Sequence, residues 1–546
     1  MIDRRNHRWL GVPIYLTTAL FLTVTTIDAQ NINSDYTLPE LSPEQELVTT
    51  RHQLSVGNRN IEYTANTGYI SLHDEAGQHR ANIFITAYFR EDIDGPEGRP
   101  ITFVFNGGPG AASIWLHMGG LGPKRVRMAD PGPDSRFDPT DPQLPPFELV
   151  SNEYSWLDFT DLVFIDPVGT GYSRAAPGVD PTEFWGYTED IEYLGELIRQ
   201  LVTRFERWGS PKFLAGESYG TTRVSGLSNH LQERHGMHLN GIVLVSAVLN
   251  FQTISYSVGN DIGYPLILPT YTATAWYHNK LSPDLQEDLE QTLAIAEEFA
   301  LGDYARALLL GDKMSEKEKR RVINRFAELT GISPEFVEAA NLRLTTAAFT
   351  KELLRSERRT VGRLDSRFIG IDREAAGNRG EYDPSYSGAI MGPFTAVFND
   401  YIRRELKYEN GLSYEVRGRV QPWPMSPTSG WGGYRNVAEE LRQALSINPY
   451  LQVFVGAGYY DLATPYFGME YTVATMQLDE SQRDRIVFGY YPSGHMYYIH
   501  GPSLVKTRDD MKDFYERALT PSGIHISQSA FVPDMHVVID SISSVR

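Results

Sequence analysis

The amino-acid sequence predicts an α/β protein with a mostly parallel central sheet flanked by helices, into which a mainly helical cap is inserted. Several short runs are apolar throughout, helix-capable polar segments separate several of them, and a long stretch after residue 250 lacks such runs. Strands buried on both faces have continuous apolar sequences, and their alternation with helices is typical of a parallel sheet. The runs are residues 101–105, 162–165, 213–215, 241–245, 451–455 and 486–488.

The chain before the first of these runs predicts a different kind of strand. Residues 60–63, 68–72 and 81–89 are short segments rich in β-branched and aromatic residues, separated by turn residues such as Gly77. Segments of this kind indicate antiparallel edge strands. Residues 31–46 are polar and interrupted by prolines, so we expect a linker or leading arm there.

The chain divides into four predicted segments. From about residue 251 to about residue 435 the sequence favours helices with charged faces, at 282–300, 315–330 and 333–355. The last of these begins with Ser333 as a predicted N-cap and Pro334 at the first helical position. The predicted segments are a signal peptide (1–29), the first part of the core (30–250), the inserted helical cap (251–435) and the second part of the core (436–546).

The charge and the cysteine content of the chain exclude several classes of function. The 546 residues carry a formal net charge of -19, which would repel a phosphate backbone, so a nucleic acid is not an expected partner. The sequence contains no cysteine, which excludes disulfides, a thiolate nucleophile and lipid attachment through cysteine. Hydrophobic residues make up 41% of the chain, enough for a large core.

The first 29 residues predict export. Arg4, Arg5 and Arg8 precede an apolar stretch over residues 9–24, and small residues follow up to Ala29. This pattern is typical of a secretory signal peptide, with cleavage expected after Ala29 and no stable membrane span afterwards. An uncleaved N-terminal membrane anchor is the alternative. Since a large core needs no disulfides, an exported chain of this composition fits a bacterial periplasm or secretion.

A five-residue motif identifies a candidate nucleophile. Gly216-Glu217-Ser218-Tyr219-Gly220 follows an apolar run and precedes a segment able to form a helix. Gly-x-Ser-x-Gly between a strand and a helix is the nucleophile elbow of α/β-hydrolases, in which the serine hydroxyl stands exposed at the edge of the sheet. An ordinary strand-to-helix turn is the competing interpretation, so the assignment depends on the rest of the chain.

A base and an acid are expected later in the chain. In α/β-hydrolases the acid and the histidine follow the serine in that order, each on a loop after a late strand. Asp461 lies in the glycine-rich loop after the run 451–455, and His495 lies in the loop after the run 486–488. We therefore predict Ser218, Asp461 and His495 as a catalytic triad.

Asn106-Gly107-Gly108-Pro109-Gly110 directly follows the run 101–105 and predicts an oxyanion hole. Backbone NH groups there can meet the charge that develops on a carbonyl oxygen, and the predicted donors are Gly108 and Tyr219. An ordinary turn is one alternative. A phosphate-binding loop is the other, but no Lys-Ser or Lys-Thr pair follows.

Together these motifs resemble the serine carboxypeptidases, peptidase family S10, and the resemblance covers most of the predicted sheet. Asp461 lies in the glycine-rich loop expected for the family's acid. The matching blocks are Phe105-Asn-Gly-Gly-Pro-Gly110, Asn152-Glu-Tyr-Ser-Trp156, Phe164-Ile-Asp-Pro-Val-Gly-Thr-Gly-Tyr-Ser173, Gly216-Glu-Ser-Tyr-Gly220 and Gly494-His-Met496. The cap contributes no matching motif.

The resemblance implies a bacterial-type member of this family with the α/β-hydrolase fold, which removes residues from peptide C-termini through an acyl-enzyme. It implies a peptide with a free C-terminus as substrate, and neither a metal nor an organic cofactor. By the same resemblance, Asn106 and Glu217 would hold the terminal carboxylate of the substrate.

Two departures from the family pattern concern this carboxylate site. The family usually places a second glutamate fourteen residues after the motif asparagine, where this chain has Gly120, and Phe105 replaces the usual tryptophan. Without a like-charged neighbour, Glu217 is expected to be ionised near neutral pH and to repel a carboxylate. The cluster Lys124-Arg125-Val126-Arg127 offers compensating charge, although a solvated basic face is the favoured interpretation.

Two other functions remain compatible with the sequence. The same triad could serve an esterase or acyltransferase, as the missing carboxyl at position 120 suggests. A non-catalytic binding protein on the same scaffold is the third alternative. The cap helices could roof the site or join two copies as a homodimer, and charge patterning does not choose between these roles.

Overall fold

The structure is a computed structural model, and it describes residues 47–93, 95, 98–128, 145–425 and 433–520. The predicted signal peptide, 1–29, lies outside the described residues. Within these ranges, no helix is long and apolar enough to cross a membrane.

A ten-stranded sheet forms the centre of the molecule. Its strands are β1 (Val48–Val56), β2 (Arg59–His73), β3 (His79–Arg90), β4 (Ile101–Phe105), β7 (Asp161–Ile165), β8 (Arg174–Ala175), β9 (Lys212–Glu217), β10 (Gly241–Val245), β13 (Gln452–Gly458) and β14 (Ile486–Tyr491). They run in the order β1-β2-β3-β7-β4-β9-β10-β13-β14, and β8 pairs with β3. The strands from β7 to β14 in this order are mutually parallel, whereas β1, β2 and β3 are antiparallel to their neighbours.

Two small antiparallel pairs lie outside this sheet, β5 (Lys124–Val126) with β6 (Leu149–Ser151) and β11 (Thr360–Val361) with β12 (Ile369–Gly370). The helices of the described chain are α1 (Ile114–Leu116), α2 (Tyr187–Arg204), α3 (Tyr219–His235), α4 (Gly263–Tyr277), α5 (Pro283–Gln286), α6 (Leu289–Phe299), α7 (Ala305–Leu310), α8 (Glu316–Thr330), α9 (Pro334–Ala339), α10 (Thr346–Glu352), α11 (Met391–Arg404), α12 (Ala438–Ile447), α13 (Tyr466–Ala474), α14 (Glu480–Arg483) and α15 (Gly501–Leu519).

The central strands are mainly apolar because helices cover both faces of the sheet. Every residue of β4, β7, β9, β10 and β13 is buried. Successive residues of β9 enter opposite cores: Phe213 and Ala215 pack with α15, and Leu214 packs with α2, α3 and α12. The predicted α/β-hydrolase fold, with a mostly parallel sheet between helices, is confirmed.

The chain between β10 and β13 is mainly helical. Apolar side chains of residues 264–361 form a third core, which also includes Tyr460, Leu462 and Tyr466 from the segment after β13. Those of α11 and α12 pack into the two cores beside the sheet. The helical region therefore packs directly against the chain that follows a central strand. The exact limits of the cap, 251 and 435, stay a prediction.

The edge of the sheet differs from the prediction. Residues 60–63 and 68–72 belong to one fifteen-residue strand, β2, because the intervening residues pair with β1 on one side and with β3 on the other. The strand β1 was not predicted, because its sequence is largely polar. All nine of its residues pair with β2, but only Leu54 and Val56 are buried.

Two of the three predicted cap helices are divided. The segment 282–300 forms α5 and α6, with Asp288 as the N-cap of the second helix, and the segment 333–355 contains α9 and α10. Asn341 and Leu342, which have positive φ angles, separate the latter two helices. The helix predicted at 315–330 is confirmed as α8. The Ser333 cap with Pro334 at the first helical position is also confirmed.

We predict that Leu214→Ala lowers the free energy of unfolding by about 2–5 kcal/mol, because it leaves a cavity in the middle of β9. Leu214 is completely buried. The control variant is Leu309→Ala, because Leu309 is 86% exposed. Urea denaturation followed by tryptophan fluorescence measures the difference. Equal midpoints for the two variants would contradict the placement of Leu214 in the core.

Candidate active site

The predicted site residues lie along one edge of the sheet. The turn 106–110, the elbow serine and the loops that carry Asp461 and His495 follow β4, β9, β13 and β14 respectively. These strands and β10 are parallel, so their carboxyl ends share an edge. The structure therefore brings together all the segments that were predicted to form the site.

Ser218 occupies a sharp turn between β9 and α3. Its φ and ψ angles are 58° and -126°, a conformation that a non-glycine residue rarely adopts and that costs about 1–3 kcal/mol. The NH of Ser218 donates to the carbonyl of Val245 at 3.0 Å, which holds the turn against β10. Ser218 is partly exposed, while Glu217 and Tyr219 are buried. This geometry agrees with the predicted elbow.

The turn after β4 lies against this elbow. A Cβ atom at Gly107 would lie 2.5 Å from the N atom of Tyr219 and 2.9 Å from Cβ of Ser218, so only glycine allows this approach. Gly108 is exposed, and Tyr219 is the first residue of the seventeen-residue helix α3. The positive end of the helix dipole thus lies next to Ser218 and favours negative charge there.

Asp461 is held by four donors. Its Oδ1 accepts from the NH groups of Ala463 and Thr464, at 2.8 and 3.0 Å. Its Oδ2 accepts from the Thr464 hydroxyl at 2.6 Å and from Nδ1 of His495 at 2.7 Å. These four hydrogen bonds fix the orientation of a completely buried carboxyl group.

His495 is buried and has a raised pKa. Burial alone would lower the pKa, but the attraction and hydrogen bond of Asp461, with a further contribution from Glu217, outweigh it. The carbonyl of His495 accepts from the Ser246 hydroxyl at 2.6 Å. The carbonyl of Val245, the last residue of β10, accepts from the NH of Ser218, and Ser246 is the next residue. Two adjacent residues at the end of β10 therefore contact the elbow and the histidine loop.

Glu217 is buried beside Asn106. Oε2 of Glu217 accepts from Nδ2 of Asn106 and, at 2.8 Å, from the hydroxyl of Tyr498. Burial is the main reason that its pKa rises to about 7, since the nearby His495 and the two hydrogen bonds act in the opposite direction. The pKa of Glu217 is therefore raised without a second carboxyl group, because desolvation takes the place of like-charge repulsion. Near pH 7 the residue is divided between its ionised and neutral forms, so the expected ionised form is present there together with the neutral one.

Tyr498 occupies the space next to Gly120. A Cβ atom at Gly120 would lie 3.0 Å from Cβ of Tyr498 and 3.1 Å from Leu504, and one at Gly119 would lie 2.3 Å from the Tyr498 ring. A carboxylate side chain at position 120 would therefore meet the tyrosine. Tyr498 was not predicted as a site residue, and the local feature of the sequence that points to it is its position three residues after His495.

Two members of the basic cluster Lys124-Arg125-Val126-Arg127 form ion pairs with glutamates other than Glu217. Lys124 lies 3.6 Å from Glu405, and Arg127 lies 3.1 Å from Glu148. The groups that set the pKa of Glu217 are His495, Tyr498, Asp461 and Asn106, and the cluster is not among them. These contacts give no support to the idea that the cluster compensates the charge of Glu217.

A buried ion pair lies behind the elbow. Arg223, one helical turn beyond Ser218 on α3, contacts Asp190 on α2 at 2.8 Å, and both side chains are inaccessible to solvent. Nη1 of Arg223 also donates to the carbonyl of Asn106 at 2.7 Å. A single guanidinium group thus connects the elbow helix, α2 and the turn after β4.

The described residues contain no group of three or more His, Asp or Glu side chains that could hold a metal ion. Backbone NH groups of the turn after β4 and of α3 lie beside the Ser218 elbow, and His495, Asn106 and Tyr498 lie on segments that follow strands at the same edge of the sheet. In chemical terms, this arrangement can support a serine nucleophile with a histidine base.

The family model for serine carboxypeptidases matches residues 57–489. Among curated proteins, serine carboxypeptidase-like 36 from Arabidopsis thaliana is 27% identical over 202 residues, 36% of each chain. The pheromone-processing carboxypeptidase KEX1 from Colletotrichum graminicola is 27% identical over 180 residues, 31% of this chain and 24% of the relative. The match to the plant proteins serine carboxypeptidase-like 36, 27 and 45 spans 36%, 47% and 39% of their lengths.

Among solved structures, Kex1(Δ)p, a prohormone-processing carboxypeptidase from Saccharomyces cerevisiae, has a TM-score of 0.48 to this chain at 15% identity. The match covers 83% of this chain and 91% of that chain. The sequence relatives named above come from a plant and a fungus, so the expected bacterial type stays a prediction.

We predict that Arg223→Met destabilises the protein by about 3–5 kcal/mol, because it leaves Asp190 buried without its partner. The double variant Asp190→Leu with Arg223→Met should recover part of this loss, because no buried charge remains. Arg404→Met is the control, since the Arg404–Asp400 pair is exposed and a pair of this kind contributes about 0.3–0.5 kcal/mol. Urea denaturation measures all three, and equal losses for Arg223→Met and Arg404→Met would contradict the prediction.

Proposed function

The chain belongs to the serine carboxypeptidase family, and on that premise we propose that it is a serine-type carboxypeptidase. It hydrolyses the C-terminal bond of a peptide through an acyl-enzyme intermediate. The observation that carries the proposal is the 2.7 Å hydrogen bond between His495 and the buried Asp461, on loops at the same edge of the sheet as the Ser218 elbow.

In the first half of the reaction, Oγ of Ser218 attacks the carbonyl carbon of the terminal peptide bond while Nε2 of His495 accepts the serine proton. The NH groups of Gly108 and Tyr219 donate to the oxyanion, aided by the N-terminus of α3. The tetrahedral intermediate then breaks its C–N bond, and the leaving amine takes the proton from His495. Ser218 is left as an ester of the shortened peptide.

In the second half, His495 takes a proton from water, and the resulting hydroxide attacks the ester carbonyl. Breakage of the ester bond returns the proton to Ser218 and releases the shortened peptide with a new C-terminal carboxylate. Asp461 keeps Nδ1 of His495 protonated and stabilises the imidazolium in both halves. Its remaining acceptor sites are already filled by Ala463 and Thr464, which holds its orientation.

Asn106 and Glu217 form the proposed site for the substrate's terminal carboxylate. The hydrogen bonds of Glu217 to Asn106 and Tyr498 both reach Oε2, so Oε1 is the atom assigned to the substrate. A neutral Glu217 can donate from Oε1 to a carboxylate, whereas an ionised one repels it. Because its pKa is about 7, the neutral form is available at mildly acid pH.

An esterase or acyltransferase is the second candidate. The specific observation in its favour is that a phenol, Tyr498, contacts Glu217 where the family pattern leads one to expect a second carboxyl group. Substrates with a free or an esterified C-terminus distinguish the two functions, because only a carboxypeptidase gains from the proposed carboxylate site.

The cellular setting is also a proposal. The arginines and apolar stretch of residues 1–29 support export, and a bacterial periplasm or secretion suits a chain without cysteine. The cap over residues 251–435 is proposed as an insertion into the core, and a homodimer through its helices stays an untested alternative. The proposed physiological partner is a peptide with a free C-terminus.

We predict that Ser218→Ala and His495→Ala abolish turnover of N-blocked dipeptides, and that Asp461→Asn lowers kcat by about 10⁴-fold because it favours the wrong histidine tautomer. Ser387→Ala and His238→Ala are controls, since both side chains are exposed. Release of the C-terminal amino acid, measured by mass spectrometry, reports the activity. Turnover near the wild-type rate in Ser218→Ala or His495→Ala would refute the mechanism.

We predict that the preference for a free over an amidated C-terminus falls as pH rises through about 7, where Glu217 loses its proton. The ratio of the two kcat/KM values isolates this effect from titration of His495, which both substrates share. Glu217→Gln should make the ratio independent of pH. Tyr498→Phe should shift the fall to higher pH, because losing the phenol's hydrogen bond destabilises the carboxylate.

Tyr497→Phe is the matched control for this experiment, because the buried Tyr497 hydroxyl has no hydrogen-bond partner in the described part of the chain. A wild-type ratio that stays constant with pH would contradict the role of Glu217. Equal rates on free and esterified C-termini at every pH would instead favour the esterase or acyltransferase.

A further inference from the structure

A loop of the helical region reaches both loops of the proposed acid–base pair. The strands β11 and β12 form a short hairpin, with Thr360 paired to Gly370 and Val361 to Ile369. We call its connecting residues, 362–368, the hairpin tip. They lie more than 90 residues before Asp461 in the sequence, so their contacts with the site are entirely tertiary.

The hairpin tip first contacts the loop that carries Asp461. The NH of Ser366 donates to the carbonyl of Tyr460 at 3.0 Å, and the NH of Leu462 donates to the carbonyl of Arg363 at 3.1 Å. These two backbone bonds lie immediately before and after Asp461. The hairpin tip therefore fixes the backbone on both sides of the aspartate.

The same residues contact the loop that carries His495. The NH of His495 donates to the carbonyl of Leu364 at 2.6 Å, and the NH of Gly494 donates to Oδ2 of Asp365 at 3.0 Å. The approach is close, because a Cβ atom at Gly494 would lie 2.4 Å from Cβ of Asp365. Two consecutive NH groups of the histidine loop are thus satisfied by the hairpin tip.

Arg367 adds a side-chain link to this loop. Its Nη2 donates to Oγ of Ser493 at 2.7 Å, and its Nη1 donates to the carbonyl of Pro492 at 2.9 Å. The guanidinium group also pairs with Asp365 at 2.6 Å, and both side chains are buried. A buried guanidinium group is planar and donates to several acceptors in fixed directions. It therefore restricts the orientation of the loop that carries these acceptors more strongly than the point charge of an ammonium group would.

The hairpin tip is itself anchored to helical structure. Oγ of Ser366 lies 2.6 Å from the hydroxyl of Thr274 on α4. The carbonyl oxygen of Ser366 lies 2.7 Å from Nε2 of His278, the residue after α4. The NH of Asp365 donates to the hydroxyl of Ser385 at 3.1 Å. The contacts to the two site loops are therefore made from a supported segment.

We propose that the hairpin tip is a positioning device for the acid–base pair, in which Arg367 and Asp365 set the place of His495 relative to Asp461. This inference rests on the proposed function, since it assigns His495 as the base. It also gives the helical region a role in the reaction: its docking on the core completes the triad geometry. An error of about 1 Å in such geometry can cost about 100-fold in rate.

The first variant is Arg367→Lys, which keeps a positive charge beside Asp365 but lacks the fork that reaches Pro492 and Ser493. The second is Ser493→Ala, which removes one acceptor of that fork and leaves the Arg367–Asp365 pair intact. Arg207→Lys is the matched control. Arg207 pairs with Asp161 at 2.6 Å, and both side chains are buried. Its other acceptors are Ser210 and the carbonyls of residues 99 and 100, which precede β9 and β4, so its described contacts include neither the hairpin nor a site loop.

Three measurements are made on the full chain: kcat and KM on an N-blocked dipeptide, the rate at which a fluorophosphonate labels Ser218, and hydrogen exchange of the peptide spanning 493–495. For Arg367→Lys we expect kcat and the labelling rate to fall about tenfold or more, with KM within about twofold of wild type. Exchange at the NH groups of Gly494 and His495 should accelerate. Ser493→Ala should move the same quantities in the same direction by less.

Arg207→Lys should lower the melting temperature while leaving the labelling rate and the exchange of 493–495 near their wild-type values. The inference is overturned if Arg367→Lys and Ser493→Ala retain wild-type labelling and exchange, or if Arg207→Lys slows labelling and accelerates exchange to the same extent as Arg367→Lys. A wild-type protein that neither labels nor hydrolyses refutes the proposed function. In that case exchange at 493–495 still decides whether Arg367 and Ser493 hold the loop.

Discussion

The hydrogen bond between Nδ1 of His495 and Oδ2 of Asp461 is the interaction on which the geometry of the site depends. Its two residues follow neighbouring parallel strands, β13 and β14, whose last paired residues are Gly458 and Tyr491. Strand pairing fixes the spacing of the two loops to about 4.8 Å at their origin but not the direction in which each loop turns. Additional contacts are needed to point the carboxyl and imidazole groups at each other. Thr464, Ser246 and the hairpin tip supply them.

The raised pKa of Glu217 shows how one electrostatic outcome can have different physical causes. A second carboxyl group nearby and removal from water both favour the neutral form of an acid. In this chain burial is the main cause, and the Tyr498 hydroxyl partly offsets it by stabilising the carboxylate. Gly119 and Gly120 make room for the tyrosine ring. The glycine at position 120 is thus explained by packing against Tyr498, and it does not leave an empty place beside Glu217.

The parts that sequence predicts well are those with a local signal. The buried strands β4, β9, β10 and β13 are continuous apolar runs, and Ser218 lies in a motif whose context is also local. Chain order then selects Asp461 and His495. The strand β1 is missed because its sequence is largely polar, and the breaks within the predicted cap helices depend on single turns such as Asn341-Leu342.

Tyr498 and the hairpin tip lie beyond such reasoning for a different reason. Tyr498 is 281 residues from Glu217, and Asp365 is 129 residues from Gly494. No periodicity or spacing in the sequence relates positions so far apart.

These long separations also bear on how the site forms. Two residues far apart in sequence meet only when the chain between them loses conformational entropy. Their contact contributes to stability only after that cost has been met. The pairing of β13 with β14 uses only residues 453–458 and 486–491, whereas the bonds from 363–367 to the two loops need both the core and the helical region in place. We therefore expect the orientation of His495 to be established after the sheet, when the helical region docks. Because the loop bonds made by the hairpin tip are buried, imperfect docking would leave NH groups of Gly494 and His495 without acceptors, and that penalty opposes a partly assembled site.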